Sequence, residues 1–326
     1  LYNDLYSSGF RRTRLMRFIF ITFFCLSAFY ALALEDLQLM QKIDSVQNLI
    51  KNGHLKDDDL LSEYRLLSSF WAQDNLDSAI FYLDQGIELA RKTDNQYRLV
   101  TLYVSMGNIY SDYGEPIKSM NSYYQALYAS QNTVDLRGDK FPYLRIYIGN
   151  LLFKFNEYKE ARAYYEQSYL LFRSYHESET PGTGEAVSLN NIALCLQKEN
   201  KLDSAKYYFK KALTYREKIG KPELLVHSYL YLARLNIDLK QIDSALYYMN
   251  LAEDIQKNNL NNYDWLPEIQ EAKAKTQIKL GRFNEAISIL KQTEDLIASG
   301  RISKIHYYKC ARFMHQCYNN NLLSYF

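Results

Sequence analysis

The stretch "KLDSAKYYFKKAL" (Lys201–Leu213) decides how the chain is read, because it returns as "NLDSAIFYLDQGI" (Asn75–Ile87) and "QIDSALYYMNLAE" (Gln241–Glu253). A catalytic loop normally occurs once, whereas a recurring segment is a building unit. The small residue of each such turn serves as a marker: Ala79, Ser119, Ala161, Ala205, Ala245 and Ala286. Successive gaps are 40, 42, 44, 40 and 41 residues. A period of about 20–50 residues signals an array in which each unit completes the core of its neighbour.

Each marker has companions at fixed offsets. Twelve residues earlier stand Leu67, Gly107, Gly149, Ala193, Ala233 and Ala274, small in five of six copies. Seven later stand Gly86, Ala126, Ser168, Ala212, Ala252 and Thr293. Four later a large residue follows: Leu83, Tyr123, Tyr165, Phe209, Met249 and Leu290. Seven residues is two helical turns, so marker and follower share one stripe. The residue twelve back falls on the preceding helix, where small side chains allow close antiparallel approach. The pattern predicts a helical hairpin, six times, and an all-α fold.

These residues resemble the tetratricopeptide repeat. The resemblance is carried by "YVSMGNIYSDYGEPIKSMNSYYQALYAS" (Tyr103–Ser130), "IYIGNLLFKFNEYKEARAYYEQSYLLF" (Ile146–Phe172) and "LNNIALCLQKENKLDSAKYYFKKAL" (Leu189–Leu213), and it spans roughly Leu60 to Gly300. It implies a right-handed α-solenoid that binds protein or peptide partners and has no catalytic role. The sequence departs from the family's usual period of about 34 residues, and the proline that often closes a repeat is mostly absent.

Turn chemistry agrees with the hairpins. Asp77, Glu157, Glu160, Asp203, Asp243 and Glu285 open the second helices, where carboxylates complement the helix dipole. Asn75, Asn156 and Asn284 occupy expected cap or turn positions. "HESETPGTGEAV" (His176–Val187) reads as a lengthened loop between the third and fourth hairpins. Before the array, residues 34–58 carry Leu37, Met40, Ile43, Val46, Leu49 and Ile50 on one stripe ending at Gly53, a capping helix. Residues 59–300 hold the six hairpins, and 301–326 read as the first helix of an incomplete seventh.

The N-terminus reads differently. "RRTRLMRFIFITFFCLSAFYALALED" (Arg11–Asp36) places basic residues before an apolar run, with Ala31-Leu32-Ala33 as a cleavage site. Residues 1–33 are a leader: 1–15 read as upstream translation, and 16–33 from Met16 as a signal peptide or a membrane anchor. The expected location is secreted or periplasmic, with membrane attachment through this segment as the alternative. Without residues 1–33 the chain has 35 basic and 36 acidic residues, since four arginines and one aspartate leave the totals of 39 and 37. That balance gives no support for a nucleic-acid partner. Of four cysteines, Cys25 lies in the leader and Cys195 on an apolar helical face. Cys310 and Cys317 would stand about 10.5 Å apart along a helix, too far for a disulfide.

No chemistry stands out. His176-Glu177 begins a zinc-protease motif that Thr180 breaks, and "PGTGEA" lacks the lysine ending of a phosphate loop. His306, Cys310 and Cys317 share a helical face within about 40° but read as a packed terminal helix; no metal and no cofactor are expected. The tyrosine pairs 123–124, 164–165, 207–208 and 247–248 recur with the repeat and read as packing. The family resemblance places a partner peptide on the first helix of each hairpin. There, Asn108, Asn150, Asn190, His227, Arg234 and Lys275 are the candidate ligand-binding residues. Val104 and Ile146 stand where the family's carboxylate clamp wants lysine. The sequence suggests a binding scaffold in the cell envelope. The alternative is the extracytoplasmic sensor region of a membrane-bound regulator with a histidine kinase or DNA-binding output domain.

Overall fold

The structure, a computed structural model, describes residues 39–53, 55–131, 140–175, 182–258, 265–299 and 313–314. The leader and most of the expected seventh hairpin lie outside them. The described residues are helical, with no strand among them: α1 (residues 39–51), α2 (Asp57–Trp71), α3 (Leu76–Lys92), α4 (Gln96–Asp112), α5 (Pro116–Gln131), α6 (Lys140–Lys154), α7 (Tyr158–Tyr175), α8 (Thr183–Lys198), α9 (Leu202–Ile219), α10 (Pro222–Asp238), α11 (Ile242–Asn258), α12 (Leu266–Lys279) and α13 (Phe283–Ala298). From α2 onward they pack as six sequential antiparallel pairs. None is long and apolar enough to cross a membrane.

The chain divides into two compact units, Leu1–Thr133 and Val134–Phe326. The first holds α1 and the pairs α2–α3 and α4–α5; the second holds the remaining four pairs.

The repeat offsets map onto the core. All six markers are buried, as are their companions at twelve before, four after and seven after. The facing geometry is direct at the glycines. A Cβ on Gly107 would lie 2.3 Å from the Tyr123 ring, and one on Gly149 2.6 Å from the Tyr165 ring. The small residue of the first helix thus receives the large residue of the second. Ser119 Oγ donates to Gly107 O at 2.7 Å, so the marker there also bonds the opposing backbone.

Five of the six hairpin turns share one backbone device. Gly114, Asn156, Asn200, Lys240 and Gly281, each five before its marker, have φ of 73°, 65°, 59°, 60° and 72°. The next residue's N–H then reaches back to the first helix, as from Glu115 to Tyr110 O at 2.8 Å and from Lys201 to Leu196 O at 2.8 Å. This closes the helix C-terminus in the manner of a Schellman turn. Asn75 caps α3 by accepting from Ser78 N at 2.9 Å. Asn284, expected at a cap, lies inside α13, whose cap position is Arg282.

Three further expectations change. Residues 183–187 belong to α8, not to a loop, because Gly184 packs beneath Phe172, where a Cβ would meet the ring at 2.3 Å. The capping helix covers 39–51, and its buried stripe narrows to Ile43 and Val46, packed on Leu67, Trp71 and Tyr82. Met40 and Leu49 are exposed, and Leu37 lies outside the described residues. Of the tyrosine pairs, Tyr123 is buried with Tyr124 exposed, while Tyr208 and Tyr248 tuck inward beside exposed Tyr207 and Tyr247.

Overpacking tests the stripe. Ala245 has no exposed surface, so Ala245→Leu should cost about 1–3 kcal/mol in chemical denaturation. Leucine at exposed Lys210 should change stability by less than about 0.5 kcal/mol. Lys206, which looks like an equivalent surface site in sequence, is half-buried and donates to Gln241 Oε1 at 3.0 Å, so it is no control. Equal costs at 245 and 210 would contradict the packing.

Candidate functional site

The candidate residues all lie on first helices of hairpins, and most are engaged within the protein. Asn108 (α4) and Asn150 (α6) directly follow the glycines that receive Tyr123 and Tyr165. Their Oδ1 atoms accept the tyrosine hydroxyls, at 2.7 Å from Tyr123 and 2.8 Å from Tyr165. The large core tyrosine is thereby satisfied at its polar tip, and burial pushes the Tyr165 hydroxyl pKa well above its usual range. Each asparagine keeps its Nδ2 donors. Asn150 is exposed and Asn108 half-buried.

Asn190 does not line an accessible face. It is 2 % exposed on α8, and its amide, oriented with Oδ1 toward α9, accepts from Arg216 Nη1 at 2.8 Å and Nη2 at 2.7 Å. Nη1 of Arg216 also donates to Ser228 Oγ of α10 at 2.8 Å. The reason is register: a long cation near the end of α9 needs acceptors, and α8 and α10 supply them on either side.

His227, next to Ser228, sets its ring against Trp265 with centroids 4.1 Å apart and planes at 66°. Burial, then the nearby positive charge of Arg216, lower its pKa from the ordinary 6.5, while Glu268 acts the other way. The unfolded chain therefore binds the proton more readily than the folded one. Stability from this group is present above about pH 6.5 and is lost as the pH falls through the lowered folded value. Melting temperature should drop between about pH 7.5 and pH 5.5, and His227→Gln should flatten that slope. An unchanged slope in the variant would remove His227 as its source.

Arg234 pairs with Glu268 of α12. Lys275 pairs with Glu271 at 2.5 Å and stands 5.0 Å above the Phe313 ring. Both are exposed. His306, His315, Cys310 and Cys317 fall outside the described residues. Among those described, no group of three His, Cys, Asp or Glu side chains could hold a metal ion. Cys195 is buried, and burial pushes its thiol pKa up to about 12, which keeps it protonated.

Arg216, Ser228 and Trp265 escaped the sequence reading, although a signal existed for the first. Eleven residues after each marker stand Ala90, Ser130, Phe172, Arg216, Gln256 and Ile297, and all six are buried. A full charge in that register marks a departure from plain packing.

With this geometry in hand, residues 143–218 match the tetratricopeptide repeat family. Over that span the chain carries tetratricopeptide repeats. The matched span falls within α6 to α9, which are two complete tetratricopeptide hairpins. Among curated proteins, nothing matches the sequence. Solved structures agree on the fold. BtubC from P. vanneervenii is 15% identical with a TM-score of 0.60, covering 69% of this chain and 91% of its own. PilF of Pseudomonas aeruginosa is 17% identical with a TM-score of 0.51, covering 78% and 97%. A signal transduction ATPase from Pyrococcus horikoshii with a tetratricopeptide repeat sensor is 16% identical with a TM-score of 0.63, covering 81% of this chain and 42% of that one.

Proposed function

We propose that this protein is a non-enzymatic scaffold of the cell envelope, whose tetratricopeptide hairpins bind an extended peptide of a protein partner. The observation that carries the reading is the hydrogen bonding of two first-helix asparagines, Asn108 in the first unit and Asn150 in the second, each taken by itself. Each spends its acceptor on a core tyrosine and keeps its amide donors for something else. A peptide backbone carbonyl is the natural partner for such a donor. The family match supports protein binding in general; the export reading rests on the leader sequence at residues 16–33.

Binding is tested by presenting residues 34–326 with an array of soluble eight-residue peptides and reading fluorescence anisotropy. A subset should bind saturably, and Asn150→Asp should weaken them, because it keeps the acceptor for Tyr165 and removes the donors. Failure of every peptide to bind would end the proposal. Export is tested separately by fractionating cells that make the full chain, where retention in the cytosol would refute it.

A second reading is favoured by the likeness to the tetratricopeptide repeat sensor of a larger ATPase. In it, this segment senses a ligand for a membrane-bound regulator whose output domain is a histidine kinase or a DNA-binding module. An antibody raised against residues 183–298 should then detect a native protein longer than 326 residues, and one no longer than that would dismiss the idea.

A further inference from the structure

Two buried charged networks of the second unit are built in opposite ways. Glu253, 8 % exposed, is neutralised by Lys257 and Lys273 and accepts from Gln270 Nε2 at 3.0 Å. Arg216, 6 % exposed, is hydrogen-bonded only to the neutral oxygens of Asn190 and Ser228 among the described residues. A guanidinium buried without an anion is costly, and removal of its charge by deprotonation is not open to arginine. The site is therefore one opposite charge short.

Its remaining donors show where that charge fits. A guanidinium has five N–H groups. Two from Nη1 and one from Nη2 reach Ser228 and Asn190. The two left are Nε–H and the outer Nη2–H. Nη2 is the terminal nitrogen on the Nε side, so these two point the same way, as the fork that grips a carboxylate with two parallel bonds. Arg216 keeps 6 % of its surface exposed, and its unpartnered Nε is not sealed from solvent. His227 lies within electrostatic reach of Arg216 and packs against the Trp265 ring. Arg234, the other cation near His227, is already paired with Glu268. With Arg234 paired, one free fork suits a singly charged carboxylate better than a phosphate.

We propose that the Nε–Nη2 edge of Arg216 receives a carboxylate of the bound peptide, with Asn190 and Ser228 holding the guanidinium in place. This rests on the peptide-binding reading above and names the chemistry that the partner must carry. The carboxylate comes from either the peptide's C-terminus or an Asp or Glu side chain.

The test uses the same peptide array in matched forms, with free or amidated C-termini and with Asp and Glu or with Asn and Gln, at constant ionic strength. Peptides that bind should lose at least tenfold in affinity when one carboxylate is neutralised. Loss on amidation assigns the C-terminus, and loss on Asp or Glu replacement assigns the side chain. Arg216→Lys keeps the charge but not the fork, and should lose as much for the acidic form and little for the neutral one. Its helix content is checked by circular dichroism; should it misfold, the acidic and neutral peptides on the unaltered protein decide alone. Peptides that bind equally in all forms would overturn this inference and leave the scaffold reading standing. A folded Arg216→Lys variant that binds the acidic form undiminished would do the same. Absence of any binding would overturn both.

Discussion

Phe209→Ala is expected to lower the unfolding free energy by about 3–5 kcal/mol. Phe209 is 1% exposed and occupies the large position of the fourth hairpin, in one cluster with Ile192, Ala193, Ala205, Leu232 and Leu235. Its ring stacks on Tyr231 of α10 with centroids 5.5 Å apart and planes 9° apart. Truncation therefore opens a cavity and breaks a contact that ties one hairpin to the next. In a repeat fold the interface between neighbours is a main source of stability, so the loss should reach beyond α8 and α9. Urea unfolding followed by circular dichroism measures it. Tyr207→Ala is the comparison: the ring is 61% exposed two residues away and should cost no more than about 0.5 kcal/mol. Similar costs for the two would mean that the large position of the repeat is not what organises the core.

Gly149→Ala is the second large effect, and its sign is the informative part. Replacing glycine by alanine inside a helix ordinarily stabilises by about 1 kcal/mol. Here the new Cβ would lie 2.6, 2.9 and 3.0 Å from three ring atoms of Tyr165. That ring cannot step aside, being 2% exposed and held at its hydroxyl by Asn150. We expect destabilisation by about 1–3 kcal/mol instead. Adding Tyr165→Leu should relieve the clash, so the double variant should be less destabilised than the sum of the singles by about 1 kcal/mol or more. A stabilised Gly149→Ala protein would show that the first and second helices sit farther apart than described.

The hairpins were legible because their pattern is local. Marker, follower and facing residue lie within one hairpin, and the marker with its three offsets, read over six copies, named positions that are all buried. The left-handed turns were less legible. Glycine or asparagine at the fifth residue before a marker announces one, but Lys240 adopts the same backbone at φ 60° without that signature. Its turn is closed by the Gln241 N–H, which donates to Asn236 O at 2.8 Å.

The candidate site was read less well, and the reason is the same throughout. Asn108, Asn150 and Asn190 are one residue type, yet two hold tyrosine hydroxyls and the third holds a guanidinium. Val104 and Ile146 stand at the position equivalent to Asn190, where the core is apolar and needs no amide. What an amide does depends on the atoms that the next helix brings to it.

Sequence alone determined the repeat, its phase and the small-to-large fit inside each hairpin, since those are relations between residues close along the chain. Only the tertiary structure decided that Asn190 is core and that Arg216 is buried between Asn190 and Ser228, with no acid to meet it among the described residues. Those outcomes turn on which side chains from different helices come within about 3 Å of one another, a distance that no spacing along the chain encodes.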